Sequence, residues 1–180
     1  MQYKETEIKG LWIIEPTVYT DSRGYFMETY KKEEFDREIA KVNFIQDNES
    51  QSSFGVLRGL HYQEGNAAQA KLVRVINGKV FDIAVDIRKD SPTFGKYLAI
   101  EISGENKRQV FMPRGFAHGF LVMSKTATFL YKVDNTYSPA SERTLNCMDT
   151  DLNIQWPIDI SQLILSEKDK QGRSLKELFI

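Results

Sequence analysis

Hydrophobic residues alternate with polar or small ones along several stretches, most clearly in KLVRVINGKVFDIAVDIR, positions 71–88. This period of two predicts β-strands, because successive side chains of a strand point to opposite faces. Asn77 and Gly78, between the two halves, predict a tight hairpin, since a type I′ turn needs positive φ at both central residues. In the second half one face is apolar and the other carries carboxylates: the sets are Phe81, Ile83, Val85 and Ile87, and Val80, Asp82, Ala84 and Asp86.

Further short strands are predicted for YLAIEI (97–102), RQVFMP (108–113), HGFLVM (118–123) and TATFLYKV (126–133). Strands at this spacing, with little helical periodicity between them, are typical of an all-β sandwich or barrel. Helix is predicted only at the periphery, over residues 31–40 and as a short segment after Ser166. Because no repeat, low-complexity tract or linker interrupts the pattern, residues 1–180 are expected to form one domain.

The composition narrows the class of protein. A chain of 180 residues with 41% hydrophobic content suits one globular domain. Its net charge of -1 provides no overall positive field for a polyanion, so nucleic acid is not an expected partner. The start is polar and no apolar run is long enough to cross a bilayer, which predicts a soluble cytoplasmic protein. The single cysteine, Cys147, is expected to be a small buried hydrophobe without a chemical role.

Only two histidines occur, His61 in RGLHYQ and His118 in PRGFAHGF. The spacing of Pro113, Gly115 and His118 resembles the second motif of the cupin superfamily, whose jelly-roll barrel directs such a histidine into a cavity. A metal-binding cupin also needs a His-x-His pair and a glutamate, because a divalent ion takes about four or more ligands. Here the matching place reads His61, Tyr62, Gln63. A metal-free barrel is therefore expected, in which His61 is free for acid–base chemistry.

A closer resemblance extends over the chain from about position 21 to 169. It rests on DSRGYFMETY, FIQDNESQS, RGLHYQ, QAKLVRV, GKVFDIAVDIRKDSPTFGKY, FMPRGFAHGF, LYKVDNTYSP and LSEKD, in that order. Together these blocks resemble the dTDP-4-dehydrorhamnose 3,5-epimerase family. The resemblance implies a cupin jelly-roll homodimer that needs no metal or redox cofactor. It also implies dTDP-4-dehydro-6-deoxy-D-glucose as substrate, on the way to dTDP-L-rhamnose.

The same resemblance assigns catalytic roles to four residues. His61 matches the family's base, and a histidine, with an ordinary pKa of about 6.5, is largely neutral yet basic at pH 7. Asp169 matches the carboxylate that orients this ring and stabilises the imidazolium. Tyr131 matches the acid, since a phenol is protonated at neutral pH. Lys71 matches the cation beside the ketone, where a fixed charge stabilises an enolate.

Further positions match family residues that bind the substrate. Arg23 and Arg58 are candidates for the diphosphate, because guanidinium groups bind phosphate oxygens in bidentate fashion. The loop EGNAAQAK, 64–71, departs from the family, which often has a proline where Asn66 or Ala67 stands. The remaining binding candidates are Phe26, Glu28, Gln46, Asn48, His118, Glu142 and Lys168.

Structural interpretations compete with these roles. Asp169 could support only the N-terminus of a short helix, Arg23 could tie down a surface turn through Asp21, and His118 could serve packing. Tyr131 could simply line the barrel, and Lys71 could face solvent. Other functions also stay open: a metal-dependent cupin such as a dioxygenase, a sugar 3,4-ketoisomerase, an epimerase acting at C3 or C5 alone, and a non-catalytic sugar-binding jelly roll.

Overall fold

A computed structural model describes residues 1–179, and the chain folds into two antiparallel sheets that face each other. The six-stranded sheet has the order β1-β2-β10-β7-β12-β5, and the five-stranded sheet has the order β13-β6-β11-β8-β9. A separate ribbon consists of β3 and β4. The predicted all-β jelly-roll barrel is confirmed. The strands are β1 Gln2–Glu5, β2 Trp12–Glu15, β3 Tyr19–Asp21, β4 Gly24–Phe26, β5 Gln46–Ser53, β6 Leu57–Gln63, β7 Lys71–Asn77, β8 Lys79–Asp86, β9 Tyr97–Ser103, β10 Gln109–Met112, β11 Phe116–Val122, β12 Thr126–Val133 and β13 Glu142–Thr144.

Both faces of β8 are buried, although its sequence alternates between an apolar and an acidic face. Val80 and Ala84 belong to the cluster between the sheets, whereas Ile83 and Val85 pack outside the five-stranded sheet under the segment that contains Leu152. By strand parity, the carboxylates of this strand face the barrel interior with Val80 and Ala84. Asp82 and Asp86 are 1% and 0% exposed. The polar face predicted from the sequence is therefore an interior face.

The predicted hairpin at Asn77 and Gly78 is wrong. β7 belongs to the six-stranded sheet and β8 to the five-stranded sheet, so the chain crosses between sheets at this point. Gly78 has φ +78°, but Asn77 is not among the residues with positive φ, and a type I′ turn needs both. The glycine is required for a different reason: a Cβ at this position would overlap the backbone oxygen of Thr126.

Helical structure lies at the periphery. The predicted helix over 31–40 is confirmed as α1, Lys32–Glu38, and its buried Phe35 packs against the outside of the six-stranded sheet beside Leu72 and Phe111. The tail after Ser166 forms 3₁₀ turns over Asp169–Gln171 and Leu175–Phe179. Within residues 1–179, no helix is long and apolar enough to cross a membrane.

Candidate active site

A cavity of about 470 Å³ opens between the two sheets. Strands of both sheets contribute to its wall, and the C-terminal segment closes one side through a bridge between Val56 and Ile164. Seven of the thirteen residues predicted for the site line this cavity: Arg58, His61, Lys71, His118, Tyr131, Lys168 and Asp169. The fold thus gathers side chains that are spread over more than half of the sequence.

His61 and Asp169 form a hydrogen-bonded pair, although they are 108 residues apart in the chain. His61 lies on β6, and its Nε2 is 2.5 Å from Oδ1 of Asp169 in a 3₁₀ turn. Burial alone would raise the pKa of Asp169, but the hydrogen bond and charge of His61 outweigh burial and hold it below its ordinary value. The carboxylate is therefore ionised and accepts from Nε2, which leaves Nδ1 as the nitrogen that can take a proton.

The support for the Asp169 turn comes from another side chain. Ser166 Oγ accepts a hydrogen bond of 3.2 Å from the backbone N–H of Asp169. The Asp169 carboxylate is 4% exposed and points to His61. The alternative that Asp169 serves only a helix N-terminus thus lacks support in the geometry.

Lys71 and Tyr131 lie across the cavity from His61, on the six-stranded sheet. Lys71 begins β7, and its Nζ is 5.9 Å from the centroid of the Tyr131 ring on β12. Burial lowers the pKa of Lys71 to about 8, against the opposing charges of Glu142 and Asp82. Burial raises the pKa of Tyr131 above its ordinary value, opposed by the charge of Arg58. At neutral pH an ammonium group and a phenol therefore face the His61 ring across the cavity.

His118 forms a second histidine–carboxylate pair in the same cavity. It lies on β11 directly opposite His61 in the strand register, and its Nε2 is 2.9 Å from Oδ2 of Asp82. The Phe129 ring packs on His118 with centroids 5.9 Å apart. Among residues 1–179, no three His, Cys, Asp or Glu side chains group closely enough to hold a metal ion. The absence of a metal from the reaction stays a sequence-based prediction.

Two lining residues, Lys168 and Arg58, have polar partners outside the lining of the cavity. Lys168 Nζ is 2.5 Å from Oε2 of Glu142, and the same oxygen accepts a 2.6 Å hydrogen bond from the Tyr137 hydroxyl. Arg58 Nε donates to Ser52 Oγ at 2.9 Å, which fixes the direction of the guanidinium. These contacts combine predicted residues with Tyr137 and Ser52, which the sequence patterns did not single out.

The other binding candidates lie outside the lining of the cavity. Gln46 and Asn48 stand on β5, the edge strand of the six-stranded sheet, and their side chains are 2.7 Å apart. Arg23, Phe26 and Glu28 are exposed on or just after the β3–β4 ribbon. The side chain of Arg23 is 88% exposed and forms an ion pair with Asp21, and Phe26 is 66% exposed. Within one chain these three residues do not reach the cavity.

Comparison with known proteins places this geometry in a family. The model of the dTDP-4-dehydrorhamnose 3,5-epimerase family matches residues 5–177. The chain belongs to this family. It is 51% identical over 174 residues to the dTDP-4-dehydrorhamnose 3,5-epimerase of Shigella flexneri, covering 96% of this chain and 95% of the relative. The resemblance inferred from the sequence blocks is thereby confirmed.

Solved structures of the family superimpose closely on the fold. The crystal structure of dTDP-4-dehydrorhamnose 3,5-epimerase from Elizabethkingia anophelis matches with a TM-score of 0.94 at 50% identity, covering 99% of this chain and 98% of that chain. The dTDP-6-deoxy-D-glucose-3,5-epimerase of Legionella pneumophila, in complex with dTDP-4-keto-L-rhamnose, also has a TM-score of 0.94, at 46% identity, covering 98% and 94%.

Proposed function

We propose that this chain is a dTDP-4-dehydrorhamnose 3,5-epimerase, which inverts C3 and C5 of dTDP-4-dehydro-6-deoxy-D-glucose. Inverting a carbon next to a ketone requires a base on one face of the sugar, a proton donor on the other, and a charge that stabilises the enolate. The observation that carries the proposal is the position of the His61–Asp169 pair across one cavity from Lys71 and Tyr131.

Each of the four groups has a distinct step. His61 Nδ1 removes the proton from the carbon next to the ketone, and the ionised Asp169 stabilises the resulting imidazolium. The Lys71 ammonium stabilises the negative charge that develops on the ketone oxygen, since a fixed charge acts strongly in a cavity of low dielectric. Tyr131 then donates its hydroxyl proton to the same carbon from the opposite face. The imidazolium then releases its proton to solvent and the phenolate takes one up, so that both groups are restored.

The nucleotide contacts the polar lining of the cavity in this proposal. Arg58 and Lys168 line the cavity with cationic side chains that suit the diphosphate oxygens. Tyr137 donates a hydrogen bond to Glu142, the ion-pair partner of Lys168, and is 57% exposed, so its ring can stack on a thymine base. His118 contributes a hydrogen-bonding group near the sugar, and Glu142 keeps Lys168 and Tyr137 in place through its shared oxygen.

A homodimer gives Arg23, Phe26 and Glu28 a role in binding. Exposed aromatic residues are concentrated on the β3–β4 ribbon, where Tyr19, Tyr25 and Phe26 are 63%, 55% and 66% exposed. Such a patch is typical of a surface that another molecule covers. In the proposed dimer, the ribbon of one subunit closes the cavity of the other and supplies Arg23 to the diphosphate. The predicted compartment is the cytoplasm.

Subunit complementation tests the exchange of the ribbon. His61→Ala and Arg23→Ala are co-expressed with different affinity tags, and the mixed dimer is isolated. If the ribbon acts in the partner's cavity, one site of the mixed dimer carries both substitutions and the other carries neither. The mixed dimer is then expected to recover activity that both parent variants lack. Activity no greater than that of the parents, or a monomer by sedimentation, contradicts this part of the proposal.

The reaction itself is tested by incubating the chain with dTDP-4-dehydro-6-deoxy-D-glucose in D₂O and locating deuterium by NMR. Deuterium at both C3 and C5, with inversion, is the expected result. Label at one carbon indicates a single epimerase, a moved carbonyl indicates a 3,4-ketoisomerase, and binding without exchange indicates a sugar-binding protein. His61→Ala is the control, and it should lose about 10²- to 10⁴-fold in rate while it still binds dTDP.

A further inference from the structure

Asp82 is a buried carboxylate that the steps above do not use. It is 1% exposed, and its Oδ1 has no hydrogen-bond partner among residues 1–179. Its other oxygen accepts from His118 Nε2 at 2.9 Å. A buried ionisable group with incomplete hydrogen bonding costs stability, so an apolar residue would serve the barrel better if packing were the only requirement.

The position of Asp82 relates it directly to the cavity. Asp82 and His118 lie on neighbouring strands of the five-stranded sheet, and His118 pairs with Ala84 in the register. The two side chains are thus diagonal neighbours on the interior face, within reach of each other. A carboxylate only accepts hydrogen bonds, so His118 Nε2 must carry the hydrogen and Nδ1 alone remains for the substrate.

We propose that Asp82 is a positioning residue for the epimerisation, which fixes the orientation and the protonated nitrogen of His118 so that Nδ1 meets the sugar. The inference rests on the proposed function. His118 stands beside the base His61, in the same cavity, and Phe129 limits its ring from the opposite sheet. With the ring restrained from both sides, the sugar is held so that its carbon faces His61. Misplacement of a reacting group by about 1 Å costs roughly 10²-fold in rate.

The charge of Asp82 also acts on the opposite wall of the cavity. It is one of two carboxylates, with Glu142, that counteract the effect of burial on the pKa of Lys71. The interior carboxylate therefore supports the ammonium form of Lys71 in addition to holding His118. Neither effect requires Asp82 to touch the substrate.

Asp86 provides a matched control on the same strand. It lies four residues further along β8, on the same interior face, and is equally buried at 0% exposure. Both of its oxygens are satisfied, by hydrogen bonds from Arg88, Ser91 and Thr93. Asp86 therefore serves the fold, and Asp86→Asn should leave the catalytic steps unchanged.

Two measurements test the role of Asp82. In Asp82→Asn the amide can either donate or accept, so it no longer determines which nitrogen of the His118 ring carries the hydrogen. We expect kcat to fall about 10²-fold while the Kd for dTDP stays within about twofold. Asp86→Asn should keep kcat at the temperature where it is folded. Unchanged kcat in Asp82→Asn, or an equal loss of kcat in both variants, overturns the proposal.

The second measurement needs no substrate. Because the chain has only two histidines, ¹⁵N-histidine labelling of the untagged protein gives the ring nitrogens of two imidazoles, and His61→Ala assigns them. The wild-type His118 should carry hydrogen on Nε2, and this signal should shift in Asp82→Asn but not in Asp86→Asn. An unprotonated Nε2 in the wild type overturns the proposal even if Asp82→Asn fails to fold. If the wild-type protein incorporates no deuterium into the sugar, the proposed function fails. The ¹⁵N signal of His118 Nε2 still shows in that case whether Asp82 holds the hydrogen on this nitrogen.

Discussion

The low pKa of Lys71 predicts how the reaction depends on pH. The ammonium form is the one that can stabilise an enolate, and burial lowers its pKa from 10.5 to about 8. Half of the ammonium is lost near pH 8, and each further pH unit removes about nine-tenths of what remains. Since kcat/KM reports groups of the free enzyme, it should be halved near pH 8 and fall about tenfold per unit above that.

A charge-preserving substitution provides the control. Lys71→Arg keeps a cation at every accessible pH, because the guanidinium does not lose its proton in this range. This variant is expected to have lower activity, since the group is larger and flat, but no decrease above pH 8. Tyr131 does not interfere, because its pKa lies above the ordinary value of 10. The assay is deuterium incorporation at saturating and limiting substrate from pH 6 to 10.

Two outcomes refute this reasoning. If kcat/KM stays level to pH 10 in the wild type, Lys71 either keeps its proton or acts without charge. If Lys71→Arg shows the same decrease above pH 8 as the wild type, another group causes it. A loss of about 10²- to 10³-fold in Lys71→Gln at pH 7, typical for removal of a group that stabilises an oxyanion, would still assign the residue to the chemistry.

Three further predictions concern Asp86, Tyr131 and Gly78. Burial alone would raise the pKa of Asp86, but its hydrogen bonds hold the pKa at about 2 instead of 3.8. The carboxylate form thus adds about 2 kcal/mol of stability above pH 4 that is lost as the pH falls toward 2. In urea titrations at pH 7, the free energy of unfolding of Asp86→Asn should be about 2 kcal/mol below that of the wild type. This difference should become smaller below pH 4, and a difference that does not change with pH contradicts the argument. Tyr131→Phe should still exchange the α-proton that His61 removes from the substrate, but NMR should show little inverted product. Complete loss of this exchange would assign Tyr131 to another step of the reaction. Gly78→Ala should lower the urea midpoint by the equivalent of more than about 1 kcal/mol, because of its φ of +78° and the nearby Thr126 oxygen, and an unchanged midpoint contradicts the steric argument.

Periodicity predicted strands well but could not assign them to sheets. The alternation in positions 71–88 identified β7 and β8, and the break at Asn77 and Gly78 was placed correctly. A two-residue break is compatible with a hairpin or with a crossing between facing sheets, and local sequence does not distinguish them. The outcome depends on whether the strands pair with each other, and here β7 pairs with β10 and β12 while β8 pairs with β9 and β11.

Asp82 and Asp86 are more deeply buried than the alternating pattern of β8 indicated. An alternating strand with Asp82 and Asp86 on one face could have had that face in solvent, as in many antiparallel sheets. Both residues are instead interior, and each is tolerated for a different reason: Asp86 by complete hydrogen bonding and Asp82 by its contact with His118. The partners of Asp86 lie in the loop that directly follows β8, whereas His118 stands on β11, 36 residues from Asp82. The alternation along β8 does not indicate this distant contact.

The crossing between sheets explains how a short piece of sequence supplies both sides of the cavity. His61 and Lys71 are only ten residues apart, which on a simple hairpin would place them on one sheet. Because β6 and β7 belong to different sheets, the two side chains instead face each other across the cavity. The placement of the proposed base opposite the proposed cation is thus a direct consequence of jelly-roll connectivity. The carboxylate that contacts His61, Asp169, comes from neither sheet but from the 3₁₀ turn Asp169–Gln171 of the C-terminal segment.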